Sequence, residues 1–164
     1  MKPSLLIAVV FFLSSCYSYK IFPKEYREFE YAGQKQLAFV TNPELKRENK
    51  ILQQSGIFDL TSDSSAKNCL RIKLRPLRKN FVCGEPILAS AFTLGQVPVY
   101  FPDIYHYEFE LISKGDTTLK SFELRVAQRV WFWDMFLFDK RFSRKAGKAL
   151  LANYYSQDAG LNSE

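Results

Sequence analysis

Thiol and imidazole groups could carry nucleophilic or metal chemistry in this chain, but they are scarce. The 164 residues contain three cysteines, Cys16, Cys69 and Cys83, and one histidine, His106. No pair of cysteines has the Cys-x-x-Cys spacing of a zinc site. No Gly-x-Ser-x-Gly, His-Glu-x-x-His or phosphate-loop motif occurs either. We therefore expect no metal site, no cofactor and no enzymatic activity.

Basic side chains are more numerous, and they are concentrated in two stretches. The formal net charge is +6, residues 66–80 hold six Lys or Arg and no acid, and residues 120–148 hold eight against three acids. Segregated positive charge favours an anionic partner, such as phospholipid headgroups, lipopolysaccharide phosphates or an acidic protein surface. The residues predicted to contact it are Arg71, Lys73, Arg75, Lys140, Arg141, Arg144, Lys145 and Lys148.

A second interpretation of the first stretch needs no ligand. Arg71, Lys73 and Arg75 alternate with apolar residues, and Glu108 and Glu110 do the same further along the chain. If the two strands are neighbours in one sheet, the opposite charges pair across them, each pair contributing about 0.2 to 1 kcal/mol. The sequence leaves both interpretations open.

Hydrophobic periodicity predicts the elements that position these residues. Alternation of period two predicts strands at 70–75, 105–111 and 122–126, the last two forming a hairpin, and an apolar run predicts another at 36–41. Helices are predicted at 44–55, before Gly56, and at 140–155, where Phe142, Ala146, Leu150 and Tyr154 recur every fourth residue. We expect an α/β fold of the α+β type, a two-layer domain with a mostly antiparallel sheet covered by two helices.

The first sixteen residues have the three parts of an export signal. Lys2 precedes an unbroken apolar run at 5–13, and Ser14, Ser15 and Cys16 follow directly. Nine helical residues at about 1.5 Å each are too short to cross a hydrocarbon core of about 30 Å. The domain organisation predicted is a signal at 1–15, a tether at 16–33, one domain at 34–158 and a tail at 159–164.

Leu13-Ser14-Ser15-Cys16 resembles the lipobox of bacterial lipoproteins, an aliphatic residue and two small residues before cysteine. The resemblance implies that signal peptidase II cuts before Cys16 and that its thiol carries a diacylglyceryl group. Tyr17 stands where an aspartate would retain a lipoprotein at the inner membrane, which indicates the outer membrane. The alternative is an ordinary secreted protein that is cut near Ser15.

In an oxidising compartment Cys69 and Cys83 form an even pair that could be a disulfide. In the chain-entropy model this bond stabilises the fold by about 3 kcal/mol. Two separately buried thiols are the alternative.

The sequence contains two further apolar stretches. The uncharged stretch at 86–102 resembles a Thr-Leu-Gly-x-x-Pro segment of small outer-membrane lipoproteins. The second, at 131–138, contains Trp131 and Trp133, which are possible contacts at the membrane interface. A core strand with its covering helix is the alternative for this region.

These observations predict a lipid-anchored, non-catalytic envelope accessory protein that binds a partner protein or complex at the outer membrane. One alternative is a module that handles lipid or lipopolysaccharide, and another is a surface-exposed lipoprotein that binds host ligands. Nucleic acid is not expected as a partner of an exported protein, despite a sequence pI of about 9.2.

Overall fold

A large sheet flanked by helices forms the structure, a computed structural model that describes residues 17–31, 33–64, 66, 69–80, 97, 99–113, 115–130 and 142–161. The strands are β1 (Tyr17–Ile21), β2 (Gln36–Val40), β3 (Phe58–Thr61), β4 (Leu70–Leu74), β5 (Arg78–Asn80), β6 (Val99–Phe101), β7 (Ile104–Ser113) and β8 (Asp116–Val130). The helices are α1 (Glu25–Glu28), α2 (Lys46–Ser55) and α3 (Phe142–Leu161).

The hairpin of β7 and β8 is the centre of the sheet, as its alternation predicts. Ten residue pairs join the two strands, from Ser113 opposite Asp116 to Ile104 opposite Arg125. Gly115 has a φ of +97° in the connecting turn, a conformation that residues with a Cβ rarely adopt. Tyr107 and Phe109 of β7 are fully buried, so the apolar side of the hairpin faces the core.

The sheet has the strand order β1-β8-β7-β4-β2-β3, with β5 also on β7 and β6 also on β8. Among the described strands, β2 pairs in parallel with β3 and β4, and the other pairs are antiparallel. The expected α+β class with a mostly antiparallel sheet is thus confirmed. β4 ends before Pro76, which lacks a backbone N–H, and the chain pairs with β7 again at β5.

Helices α2 and α3 pack against each other and cover one face of the sheet. Ile51 and Leu52 of α2 and Ala146 and Leu150 of α3 are fully buried there, together with the apolar side chains of β4, β7 and β8. α2 ends at Gly56, which has a φ of +66°. α3 continues to Leu161, beyond the predicted end of the helix and into the predicted tail.

The predicted tether is wrong for its first residues, because Tyr17–Ile21 forms the edge strand β1. This strand pairs with β8 from Tyr17 opposite Val130 to Ile21 opposite Val126. Ile21 is buried in the core and Tyr19 packs against it, which supplies the apolar burial that a tether lacks. The described fold therefore includes Tyr17–Ile21, which the sequence assigned to the tether.

Candidate functional site

The face of the sheet opposite α2 and α3, here called the open face, carries a set of cross-strand ion pairs. Arg75 donates from Nε and Nη2 to Glu110 Oε1 over 3.1 and 2.7 Å. Lys73 Nζ lies 3.9 Å from the same carboxylate, and Arg75 and Arg78 lie 3.7 and 4.0 Å from Glu108. We call these five residues the charge ladder. This arrangement is the cross-strand pairing that needs no ligand, which is the second of the two interpretations that the sequence left open.

Pairing within the charge ladder changes the acidity of its members. The hydrogen bond from Arg75 lowers the pKa of Glu110, and the nearby charges of Lys73 and Arg75 act in the same direction, whereas desolvation opposes it. The hydrogen bond to Glu110 in turn raises the pKa of Arg75. Both groups therefore stay charged over the physiological pH range, and the ladder presents little net charge from these pairs.

The structure places the remaining predicted basic contacts on two elements. Arg71 is exposed on the open face beside the charge ladder, and it makes no ion pair with any residue that the structure describes. Arg144 is exposed near the start of α3, while Lys145 and Lys148 are half-buried on the same helix. Lys140 and Arg141 lie outside the described residues, so contact of this helix with an anionic partner stays a prediction.

The cysteines and tryptophans singled out from the sequence are placed only in part. Cys69 is half-buried before β4, and its thiol lies 3.5 Å from the backbone oxygen of Leu70. Cys16, Cys83, Trp131 and Trp133 lie outside the described residues. The lipidation site, the disulfide and the interfacial tryptophans therefore stay predictions.

His106 lies half-buried on β7, where its Nε2 is 2.9 Å from Nδ2 of Asn80 on β5. No group of three or more potential metal ligands occurs among the described residues. Within the same part of the chain, no helix has the length and apolar character needed to span a membrane.

A second cluster on the open face, which the sequence analysis missed, joins β1, β6 and β8. Lys20 Nζ lies 3.5 Å from the hydroxyl oxygen of Tyr100 and 4.8 Å from the centre of its ring. Arg129 Nε donates to Ser18 Oγ over 3.2 Å, and Phe22 packs edge-on against Tyr100 at 6.5 Å between ring centres. We call Ser18, Lys20, Phe22, Tyr100 and Arg129 the cation–aromatic patch.

Two cations of the cation–aromatic patch, Lys20 and Arg129, act on Tyr100. Burial acts to raise the pKa of Tyr100, but hydrogen bonds and charge from Arg129 and Lys20 outweigh it, so the pKa of Tyr100 is lowered overall. Neighbouring cations of this kind favour an anion nearby. The patch went unnoticed in the sequence because its members come from three distant segments, which the register of the sheet brings together.

A buried carboxylate occupies the opposite face of the sheet, beneath the helices. Asp103 is 7% exposed, pairs with Lys79 Nζ at 2.9 Å and accepts a hydrogen bond from the Tyr105 hydroxyl over 3.3 Å. Burial, with a smaller contribution from Asp103, raises the pKa of Tyr105 to about 12. Arg47 lies over the rings of Tyr105 and Phe142 at 5.7 and 4.5 Å. Because these groups satisfy one another, the cluster stabilises the junction of α2, α3 and the sheet.

Comparison with known proteins gives little further information. No protein-family model matches the chain, and no curated protein matches it. A crystal structure that is similar is that of the rare lipoprotein B from Shewanella oneidensis, with 16% sequence identity and a TM-score of 0.34. The match covers 79% of this chain and 99% of that chain. The function proposed below therefore rests on this chain's own residues.

Proposed function

We propose that the protein is a lipid-anchored, non-catalytic envelope accessory lipoprotein that binds a partner protein or complex at the outer membrane. The observation that carries the proposal is the Leu13-Ser14-Ser15-Cys16 sequence at the end of an apolar run, directly before a folded strand. A single acyl chain binds membranes marginally, whereas two or three anchor a protein stably. The anchor defines where the protein acts, and its domain supplies the binding surface.

The open face is the surface that we propose for the partner. Its charge ladder is internally paired, so a partner need not neutralise several isolated charges. Apolar groups lie beside the ladder: Leu119 of β8 is 49% exposed, and Ile112 and Phe39 are half-exposed on the same face. Apolar groups among paired polar ones are typical of protein interfaces, in which about half of the area is non-polar.

Photocrosslinking in living cells tests this partner surface. The photoreactive amino acid p-benzoylphenylalanine is placed at Leu119 on the open face or at Ser156, an exposed control position on α3. We expect irradiation to give an adduct at Leu119 that mass spectrometry identifies as an envelope protein, with none at Ser156. If Leu119 gives no protein adduct although the protein is present and acylated, the proposed partner surface is wrong.

Two further measurements address the alternatives. A lipid-handling module predicts that the unacylated Cys16→Ala protein binds anionic vesicles as strongly as the acylated protein does. An accessory protein predicts that most of this binding is lost with the anchor. A surface-exposed lipoprotein predicts that protease added to intact cells digests the domain. Protection from protease that is lost when the outer membrane is permeabilised supports the periplasmic side instead.

A further inference from the structure

The attachment point of the lipid is next to the sheet. Tyr17 is already paired with Val130 of β8, and Cys16 is separated from Tyr17 by one peptide bond. Consecutive Cα atoms are 3.8 Å apart, so this spacing provides no tether between the lipidated residue and the domain. Val99, the first residue of β6, pairs with Val130 from the other side. Tyr17, Val99 and Val130 are the terminal residues of three neighbouring strands, and we call this end of the sheet the anchor end.

The described side chains near the anchor end are those that a membrane interface favours. Val97, two residues before Val99, is 53% exposed, and Ser18, Tyr100 and Arg129 each lie one residue from the anchor end. The Lys20 ammonium lies 4.8 Å from the centre of the Tyr100 ring. Arg129 adds a second cation to the same patch. Aromatic rings at headgroup depth, with cations that meet lipid phosphates, characterise protein surfaces that lie on bilayers.

We propose that the anchor end lies directly on the headgroup layer of the membrane that holds the lipid on Cys16, with the cation–aromatic patch in contact with headgroup phosphates. This inference rests on the proposed lipid anchor and adds a fixed orientation to it. The direct pairing of β1 with β8 limits rotation of the domain about its anchor. The patch then contributes a second, non-covalent attachment to the one that the acyl chains supply.

The same geometry places the opposite end of the hairpin far from the bilayer. β8 has 15 residues, which at about 3.3 Å per residue span about 45 Å from Val130 to Asp116. The turn at Gly115 and the exposed Leu119 are therefore at the membrane-distal end of β8. The apolar part of the open face that we assign to a protein partner is thus held away from lipid.

Lipid photocrosslinking tests the orientation on the full-length acylated protein in vesicles that contain phosphatidylglycerol. p-Benzoylphenylalanine replaces Val97 at the anchor end, or Leu119 as the membrane-distal control, because both side chains are exposed. We expect at least tenfold more lipid adduct from position 97 than from position 119. Lys20→Glu should lower the yield at position 97 at least threefold, whereas Lys50→Glu, at an exposed position on α2, should leave it unchanged.

The intact mass of each sample separates the two proposals. If the chain is acylated and positions 97 and 119 give equal lipid adducts, the anchor stands and the fixed orientation is wrong. If Lys20→Glu leaves the yield unchanged, contact between the patch and headgroup phosphates is overturned. If no chain carries acyl mass, the proposed function itself fails, and the orientation fails with it.

Discussion

Gly147 lies where α2 and α3 cross, and enlarging it provides a quantitative test of the helix packing. A Cβ at this position would lie 2.7 Å from the backbone carbon of Gln54 and 2.8 Å from the backbone nitrogen of Ser55. Ordinary contact begins at 3.4 Å, so the helices would have to separate by about 0.7 Å. A gap of 0.5 to 1 Å removes a quarter to a half of the dispersion attraction of the affected contacts.

The expected magnitude for Gly147→Ala combines two opposing effects. Overpacking of a close contact costs about 1 to 3 kcal/mol. Alanine is favoured over glycine inside a helix by about 1 kcal/mol, which offsets part of that cost. We therefore expect Gly147→Ala to lower the free energy of unfolding by about 1 kcal/mol. Gly147→Val adds two methyl groups against the same backbone atoms and should destabilise the fold by at least about 3 kcal/mol.

Urea denaturation followed by circular dichroism measures these free energies of unfolding. Ser156→Ala is the control, because Ser156 is exposed on the same helix and the change should stay within about 0.5 kcal/mol. A shift of the midpoint without a change in slope identifies a true loss of stability. If Gly147→Ala instead raises stability by the full helix preference, the close crossing of α2 and α3 is wrong.

Three further substitutions test other parts of the fold. The Asn42 amide donates to the backbone oxygen of Leu74 and accepts from its N–H, both over 2.8 Å. Asn42→Ala should therefore lower the free energy of unfolding in urea by about 1 to 3 kcal/mol, whereas Asn42→Asp should retain only the hydrogen bond that the side chain accepts. Buried Glu48 accepts a hydrogen bond from the Leu77 N–H over 2.9 Å. Glu48→Ala should therefore lower the free energy of unfolding by about 1 to 3 kcal/mol, and Glu48→Gln should lower it less. Equal losses from the two variants would contradict this role. The pKa of Glu110 is lowered on folding, so its stabilising contribution is present above the ordinary pKa of 4.5 and is lost as the pH falls through the pKa of the folded state. Glu110→Gln should therefore flatten this part of the curve of stability against pH. An unchanged curve would refute this role of Glu110.

Local pattern was sufficient to predict the centre of the sheet. Tyr107 and Phe109 alternate with Glu108 and Glu110 over a long strand, and this period of two defines both the core side and the charged side. The pairing of the charge ladder was one of the two interpretations that the alternation allowed. Choosing between them required the knowledge that β4 and β7 are neighbours, which no local pattern contains.

Strand β1 and the cation–aromatic patch could not be predicted in this way. β1 has five residues, in which two tyrosines and an isoleucine alternate with a serine and a lysine, a composition that also suits a polar tether. Its strand structure depends on hydrogen bonds to β8, more than one hundred residues away. The patch depends in turn on this pairing, because Lys20 reaches Tyr100 across β8.

The intact mass of the protein extracted from membranes is the decisive measurement for the lipid anchor on Cys16. We expect a chain that begins at Cys16 and carries added acyl mass, whereas the Cys16→Ala variant should carry none. The same spectrum taken before and after reduction should show a gain of two hydrogens if Cys69 and Cys83 are bonded. An unacylated wild-type chain would contradict the lipid anchor and, with it, both the envelope function and the membrane orientation proposed here.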